Sequence, residues 1–268
     1  MNSPWQRRIA RAQELRNRYA FAAEILSFYV QIARFQENFQ QEADRLPQTV
    51  QEISAPAELT LEESSALRLR FESFLSIVQV HGPATLAHLS DDLRARGPSF
   101  WSDLLTSAWS APAPSDATTV LAQAFLQPCA ELLRSRTQRT AFKSGLSGKF
   151  AICPFCTRKP CVGVLRQMGD GAARSMVCSF CVAEWDFRRL VCPACGEEND
   201  TKLPVFTASD FDYIRVECCE TCKTYIKSVD LTKDGHAEPI VDDLASAALD
   251  LWARERGYAK LHANLLGM

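Results

Sequence analysis

The 268-residue sequence has little of what most enzymes and membrane proteins require. It has four histidines and lacks a Gly-rich phosphate loop, a Walker pattern and an HExxH sequence, which argues against nucleotide hydrolysis and zincin-type proteolysis. No apolar run approaches the roughly 18 residues of a membrane span. No apolar segment follows Arg7 and Arg8, so neither a secretory nor a twin-arginine signal is expected. We therefore expect a soluble cytoplasmic protein that is not an enzyme.

An excess of positive charge is also missing. The formal net charge is −2, and residues 150–268 contain 14 Lys and Arg against 17 Asp and Glu. A nucleic-acid-binding ribbon should carry a basic face. Zinc-ribbon nucleic-acid binding is therefore a disfavoured alternative, and neither nucleic acid nor membrane insertion is expected.

Cysteine, in contrast, is concentrated in the second half. Ten of the eleven cysteines lie between 153 and 222, and eight of them form four Cys-x-x-Cys pairs. The pairs are Cys153/Cys156, Cys178/Cys181, Cys192/Cys195 and Cys219/Cys222. The two halves of this stretch are offset by about 40 residues, which indicates one unit that occurs twice.

This spacing predicts two Cys₄ metal sites. Two cysteines on one tight turn can direct both sulfurs at one ion, and a second turn completes a tetrahedron. Sequential pairing is favoured over cross-braced pairing, because the short 10-residue segment between Cys181 and Cys192 then joins two modules. The alternatives are disulfides, redox-active dithiols and a single structural zinc. Disulfides are less favoured because an intracellular chain would keep its thiols reduced. Redox-active dithiols are less favoured because a dithiol oxidoreductase needs only one Cys-x-x-Cys pair.

Two of the other cysteines are not assigned as metal ligands. Cys218 directly precedes Cys219, and adjacent side chains point in different directions, so Cys218 is expected to be inert or weakly reactive. Cys129 is isolated from the pairs and is expected to be a buried apolar side chain.

The first 140 residues are predicted to be helical. Ser3 and Pro4 form a helix-start signature. Aromatic and aliphatic residues recur at three- and four-residue steps from Ile25 to Phe39, and this stripe is interpreted as core, with a peptide groove as the alternative. Further helical segments are predicted after a capping box at 60–63, over 84–94, from residue 99, and over 116–136 with a kink or break at Pro128.

The second half is predicted to contain short strands and one final helix. The strands are expected at 162–165, 176–177, 187–191, 205–206, 213–216 and 225–229. The final helix is expected over 242–256, with Leu251 on its apolar face. Asp242 and Asp243 are interpreted as acidic residues at its N-terminus rather than as a catalytic carboxylate pair. A linker is expected at 144–148.

Several of these motifs, in this order, resemble the formate dehydrogenase accessory protein family FdhE. The matching stretches are Cys153-Pro154-x-Cys156, Cys178-x-x-Cys181-x-x-Glu184-Trp185, Cys192-x-x-Cys195-Gly196, Cys219-x-x-Cys222-x-x-Tyr225-Ile226-Lys227, Asp242-Asp243-Leu244-Ala245 and Leu249-Asp250. The chain has Trp185-Asp186 where the family commonly has Trp-His, so no histidine role is carried over.

The resemblance implies an α+β protein with an all-helical N-terminal domain, two small rubredoxin-like Cys₄ modules and a C-terminal helix. The expected division is a helical domain (1–145), a first metal module (146–190), a second metal module (191–230) and a C-terminal helical segment (231–268). It implies iron at both sites, with zinc as a substitute, and a cytoplasmic role in maturing formate dehydrogenase by binding its molybdenum- or tungsten-containing catalytic subunit. A rubredoxin-type electron carrier is the alternative function.

Overall fold

The computed structural model describes residues 3–45, 65–111, 113, 116–136 and 151–264. The described residues fall into two compact units, one up to residue 136 and one over 151–264. The first is helical and the second is built on a small sheet, which confirms the predicted α+β fold class. The predicted capping box at 60–63 and linker at 144–148 lie outside the described residues. Of the helices described, none is both long and apolar enough to cross a membrane.

Five α-helices lie in the described part of the helical unit. They are α1 (Pro4–Arg18), α2 (Ala23–Arg45), α3 (Ser65–His81), α4 (Ala84–Ser110) and α5 (Ala117–Arg136). Ser3 and Gln6 form a capping box at the start of α1. Gly97 interrupts α4 at a φ of 77°, which separates the two predicted segments. Pro128 lies inside α5, so the predicted break is not observed there.

The aromatic stripe of α2 forms the core of this unit. The rings of Phe39 and Phe125 lie 5.1 Å apart, and those of Phe35 and Phe74 lie 5.3 Å apart. All four side chains are buried. Core packing is therefore the correct interpretation of the stripe, because its rings are already covered by α3 and α5.

The second unit contains one seven-stranded sheet. Its strands are β1 (Pro160–Met168), β2 (Gly171–Cys178), β3 (Glu184–Asp186), β4 (Val205–Ala208), β5 (Phe211–Cys218), β6 (Thr224–Asp230) and β7 (Ala259–Lys260). The order is β3-β2-β1-β6-β5-β4, with β7 paired to β6. Each cysteine-rich half contributes three consecutive strands, and the parallel pair β1·β6 joins the halves. The two halves therefore share one sheet.

Two predicted elements of this unit differ in the structure. The strand expected at 187–191 is not observed, and β3 ends before it, at Asp186. The carbonyls of Arg188, Arg189 and Val191 accept hydrogen bonds from the Arg174 guanidinium instead of from a neighbouring strand. The expected final helix is divided into α6 (Pro239–Ala245) and α7 (Ala247–Glu255).

The division of the final helix has a local cause. Lys227 Nζ donates to the carbonyl oxygens of Asp243, at 2.6 Å, and Ser246, at 3.3 Å. These two carbonyls therefore bond a side chain instead of the backbone N–H groups of a continuous helix. The residues buried on α7 are then Leu249, Asp250 and Ala253. Leu251, predicted to lie on the apolar face, is exposed.

Gly163 permits the close approach of β1 and β6. It pairs with Ser228 in the parallel register, and a methyl group at residue 163 would overlap Ser228 Oγ and lie 3.2 Å from its Cβ. We expect Gly163→Ala to lower the free energy of unfolding by about 1–3 kcal/mol, measured by urea denaturation. Gly171→Ala is the matched control, because its Cβ would meet its nearest neighbour at 3.9 Å. Equal effects of the two variants would contradict the proposed crowding.

Candidate metal centres

The eight predicted cysteines form two separate clusters. Within each cluster the four sulfur atoms lie within 4.8 Å of one another. The first cluster contains Cys153, Cys156, Cys178 and Cys181, and the second contains Cys192, Cys195, Cys219 and Cys222. This is the sequential pairing, in which each module contributes all four sulfurs of one cluster.

The sulfur separations suit a tetrahedral metal ion. Sγ–Sγ distances are 3.5 Å for Cys153 and Cys181 and 3.3 Å for Cys156 and Cys178. In the second cluster, the sulfurs of Cys192 and Cys222 and those of Cys195 and Cys219 are each 3.7 Å apart. Metal–sulfur bonds of about 2.3 Å in a tetrahedron place the sulfurs about 3.8 Å apart. Each cluster could therefore hold one metal ion with little movement.

All four Cys-x-x-Cys turns share one backbone conformation. The residue after the second cysteine has a positive φ in every turn: 61° at Thr157, 53° at Val182, 76° at Gly196 and 54° at Lys223. A β-branched residue such as Val182 rarely adopts this conformation. The same strained turn recurs four times, three of them without glycine, which indicates that the turn is required to direct paired sulfurs to one point.

Backbone hydrogen bonds close the same turns. The N–H of the first cysteine donates to the carbonyl five residues later, as from Cys153 to Arg158 at 2.8 Å and from Cys219 to Thr224 at 2.9 Å. Backbone N–H groups also approach two sulfurs, Phe180 N to Cys178 Sγ and Ala194 N to Cys192 Sγ, each at 3.4 Å. These donors favour thiolates, the form in which cysteine binds a metal.

Burial acts in the opposite direction. It raises the pKa of the Cys178 and Cys192 thiols above the ordinary value, because the charged form is costly in a low dielectric. Four thiolates in one buried cluster therefore require a cation to stabilise them. The donor set, the separations and the turns all fit a tetrahedral Zn²⁺ or Fe site.

The two clusters differ in solvent access. In the first, Cys153, Cys178 and Cys181 are fully buried and Cys156 is 9% exposed. In the second, Cys195 and Cys222 are only partly buried. The second site is therefore the more accessible to solvent.

This difference predicts the order of metal loss. With zinc-loaded protein and a limiting chelator, we expect the second cluster to release its ion first, about tenfold faster, because solvent access controls exchange. Zinc release is followed with a colorimetric indicator, and mass spectrometry after brief alkylation identifies which cysteines are freed. Early labelling of the first cluster, or release of both ions in one phase, would contradict the prediction.

Cys129 and Cys218, two of the three cysteines outside the clusters, are poorly reactive. Burial raises the pKa of Cys129 to about 12, and burial together with the charges of Glu220 and Glu217 raises the pKa of Cys218 to about 12. Neither belongs to a sulfur cluster. Thiols with such pKa values are protonated at neutral pH and react slowly, as expected for Cys218. Cys129, which was expected to be buried, is half-buried.

A buried charge cluster lies beside β6 and was missed by the sequence interpretation. Lys227 is fully buried and contacts Asp243 Oδ1 at 3.1 Å and Asp250 Oδ2 at 2.6 Å. Lys260 contacts the same two carboxylates at 3.0 and 3.2 Å. The two lysines and two aspartates balance in charge. We call these four residues the lysine–aspartate cluster.

The acidic pair at 242–243 therefore has two separate roles. Asp242 accepts hydrogen bonds from the Glu238 backbone N–H, at 2.7 Å, and from the Tyr213 hydroxyl, at 2.8 Å, so it does serve the start of α6. Asp243 instead faces Lys227 and Lys260. The only sequence signal for this cluster was that Lys227, Asp243 and Asp250 all occur in the family-like motifs.

The lysine–aspartate cluster predicts acid sensitivity. Burial raises the pKa of Asp243, but the charges of Lys227 and Lys260 outweigh it and hold this pKa below its ordinary value. A carboxyl group with a depressed folded pKa stabilises the fold above its unfolded pKa of about 3.9, and this stabilisation is lost as the pH falls through the folded value.

We expect the stability difference between wild type and Asp243→Asn to be constant near neutrality and to shrink below about pH 4. Urea denaturation across pH 3–7 measures this stability difference. Both proteins lose metal on acidification, so metal loss cancels in the difference. A difference that stays constant down to pH 3 would show that Asp243 does not carry the predicted charge.

Known families match the cysteine-rich part of the chain. Residues 152–189 match the family described as "FdhE, central domain", and residues 190–266 match "FdhE, C-terminal domain". Together these two regions contain both sulfur clusters and the lysine–aspartate cluster.

Individual proteins extend the similarity. A "Protein FdhE homolog" of Aquifex aeolicus (strain VF5) is 33% identical over 198 residues, covering 74% of this chain and 69% of the relative. A homolog from Pseudomonas putida (strain KT2440) is 35% identical over 128 residues, and this chain spans 39% of its length.

A solved structure has the same fold. The crystal structure of the FdhE protein from Pseudomonas aeruginosa aligns with 99% of this chain and 96% of its own, at a TM-score of 0.68 and 23% identity. The Aquifex match covers most of both sequences, and both cysteine-rich modules match FdhE domains. The chain therefore belongs to the FdhE family.

Proposed function

We propose that this protein is a cytoplasmic accessory protein that matures formate dehydrogenase by binding its molybdenum- or tungsten-containing catalytic subunit. Family membership carries the proposal. It is supported by a site geometry that suits binding rather than turnover: the cysteines are arranged in closed four-sulfur sets, and a catalytic metal site would keep an open position.

In this proposal the eight clustered cysteines are the ligands of two metal ions. The bound ions fix the Cys-x-x-Cys turns, and the common sheet holds the two modules as one platform. Iron is the proposed native metal and zinc its substitute in recombinant protein, since thiolate sets bind both. The residues of the Cys-x-x-Cys turns position the sulfurs, and their burial excludes water from the first site.

A pull-down from formate-respiring cells tests the partner. Tagged full-length protein should recover the catalytic subunit. Deletion of the gene for the accessory protein should abolish formate dehydrogenase activity until the wild-type gene is restored. An untagged strain controls for adventitious capture. Recovery of no such subunit, together with unchanged activity in the deletion strain, would overturn the proposal.

The metal is tested on protein purified without oxygen from its native cells. We expect about two metal ions per chain, one for each Cys₄ set, with thiolate-to-iron absorption in the visible range. About two zinc ions and a colourless protein would assign the modules a purely structural role. Absence of any bound metal would overturn the ligand assignment.

The alternative of a rubredoxin-type electron carrier has one structural feature in its favour. Cys195 and Cys222 of the second cluster are partly exposed, which gives a redox partner access near the ion. A reversible one-electron couple with rapid exchange to a reductase would support this function. Protein that contains only zinc in its native cells would eliminate it.

A further inference from the structure

A cleft lies on the sheet face opposite the lysine–aspartate cluster. The register places Leu165 opposite Arg174, Arg215 opposite Ser228 and Glu217 opposite Ile226. Leu165, Arg174, Arg215, Glu217 and Ile226 line the cleft, whereas Lys227 alternates with Ile226 and so faces the other side. Cys192 and Cys219 of the second sulfur cluster form part of the same wall.

The cleft is the size of one side chain. Its volume is about 90 Å³, well above the roughly 10–15 Å³ that admits one water, so it has room for the end of one polar side chain. Two apolar residues, Leu190 and Val205, line it while being 65% and 53% exposed. They therefore mark its mouth, where an extended polypeptide could rest.

The charge of the lining is positive although this half of the chain is acidic. Arg174, Arg189 and Arg215 all line the cleft, and Glu217 is the one acidic residue among its lining residues. Arg174 pairs with Glu217, and Arg215 contacts Asp230 Oδ2 at 2.7 Å. Arg189 is exposed and donates to the Ala172 carbonyl at 3.3 Å, so its charge has no acidic partner among the described residues.

Arg174 also retains an unused donor. Arg174 is 4% exposed, and its Nη1 donates to the Arg188 and Val191 carbonyls at 3.1 and 3.2 Å. Its buried Nε has no hydrogen-bond partner among the described residues. A buried guanidinium N–H without an acceptor is costly. Because Arg174 lines the cleft, a carboxylate that enters beside it and shifts the local packing would satisfy this donor.

We propose that the cleft binds an acidic side chain, Asp or Glu, from an extended segment of the bound partner polypeptide. The carboxylate would lie between Arg174 and Arg189, the backbone would rest on Leu190 and Val205, and the wall formed by Cys192 and Cys219 would place the partner next to the second metal site. This inference rests on the proposed function, because the segment is assigned to the dehydrogenase subunit.

The first test needs no partner protein. The ¹⁵N-labelled full-length protein is titrated with N-acetyl-glutamate methylamide and, as the neutral control, N-acetyl-glutamine methylamide. We expect saturable shifts of the backbone N–H signals of Val191, Cys192 and Thr224 with the glutamate compound alone. No response, or an equal response to both compounds, would overturn the assignment of the cleft as a carboxylate site.

The second test uses the dehydrogenase catalytic subunit. Arg189→Glu should weaken its binding about tenfold, with a smaller salt dependence, because a cleft charge is reversed. Arg188→Glu is the matched control: Arg188 is the exposed neighbour, pairs with Glu198 at 2.9 Å and does not line the cleft. Equal affinities of the two variants would overturn the inference.

The two tests separate this inference from the proposed function. Saturable binding of the glutamate compound without subunit binding would leave a carboxylate site and remove the proposed partner. Subunit binding that neither variant alters, with no response to the glutamate compound, would keep the proposed function and remove the cleft from it.

Discussion

Replacing Cys219 with serine should remove one of the two metal ions and unfold much of the second half of the sheet. Cys219 Sγ lies 3.7 Å from Cys195 Sγ in a four-sulfur cluster, and a hydroxyl group is a poor ligand for a thiolate-preferring ion. A structural metal site in a small module contributes on the order of 10 kcal/mol to folding. We expect metal content to fall from about two ions per chain to about one, measured by elemental analysis.

Thermal unfolding followed by circular dichroism gives the second measurement. Since β6 pairs with β1, loss of the second ion should also destabilise the first module. The Cys219→Ser protein should therefore unfold at a lower temperature in both halves. Retention of two ions and an unchanged melting temperature would contradict the assignment of Cys219 as a ligand.

The adjacent residue supplies the control. Cys218 is 3% exposed and lies outside the sulfur cluster, so Cys218→Ser makes the same chemical change one position away. It should keep both ions and cost about 1–3 kcal/mol, the penalty for burying a hydroxyl group. Cys129→Ser, in the helical unit, should likewise leave metal content unchanged. If Cys218→Ser lost an ion, Cys218 would be the ligand instead.

The sulfur clusters could be predicted because their determinants are local. A Cys-x-x-Cys turn places two sulfurs together without help from the rest of the chain, and the regular spacing pairs the turns. The helical periodicity from Ile25 to Phe39 was informative for the same reason. The resemblance to the FdhE family was also correct, and it depended on these local motifs.

The joining of the two modules could not be predicted from the same signals. The β1·β6 pair links residues separated by more than 60 positions, as in Gly163 opposite Ser228, and short strands carry no pattern that specifies such a partner. The positive φ values of Thr157 and Val182 were also not predicted, because neither residue type favours that conformation.

The lysine–aspartate cluster is the feature that sequence patterns predicted least. Charged residues are expected at the surface, so Lys227, Asp243 and Asp250 gave no sign of burial, and the acidic pair was assigned as a whole to a helix N-terminus. Their contacts also break the final helix at Ser246. A tertiary interaction therefore decided both the side-chain roles and the local secondary structure.

Lys227→Met should be the most destabilising substitution outside the sulfur clusters. Lys227 is fully buried and donates to Asp250 at 2.6 Å and to the Asp243 carbonyl at 2.6 Å. Removing this cation leaves Lys260 alone with two buried carboxylates, and breaking a buried ion pair in this way costs about 3–5 kcal/mol. The free energy of unfolding from urea denaturation measures the loss.

A second substitution tests whether the loss is electrostatic. Asp250→Asn in the Lys227→Met background restores neutrality, because Lys260 then faces Asp243 alone, at 3.0 Å. The double variant should regain part of the lost stability, with a coupling energy of about 1–3 kcal/mol. Lys233→Met, at an exposed position, should change stability by less than about 0.5 kcal/mol. Additive losses from the two cluster substitutions would show that Lys227 acts through packing and hydrogen bonds to α6 rather than through its charge.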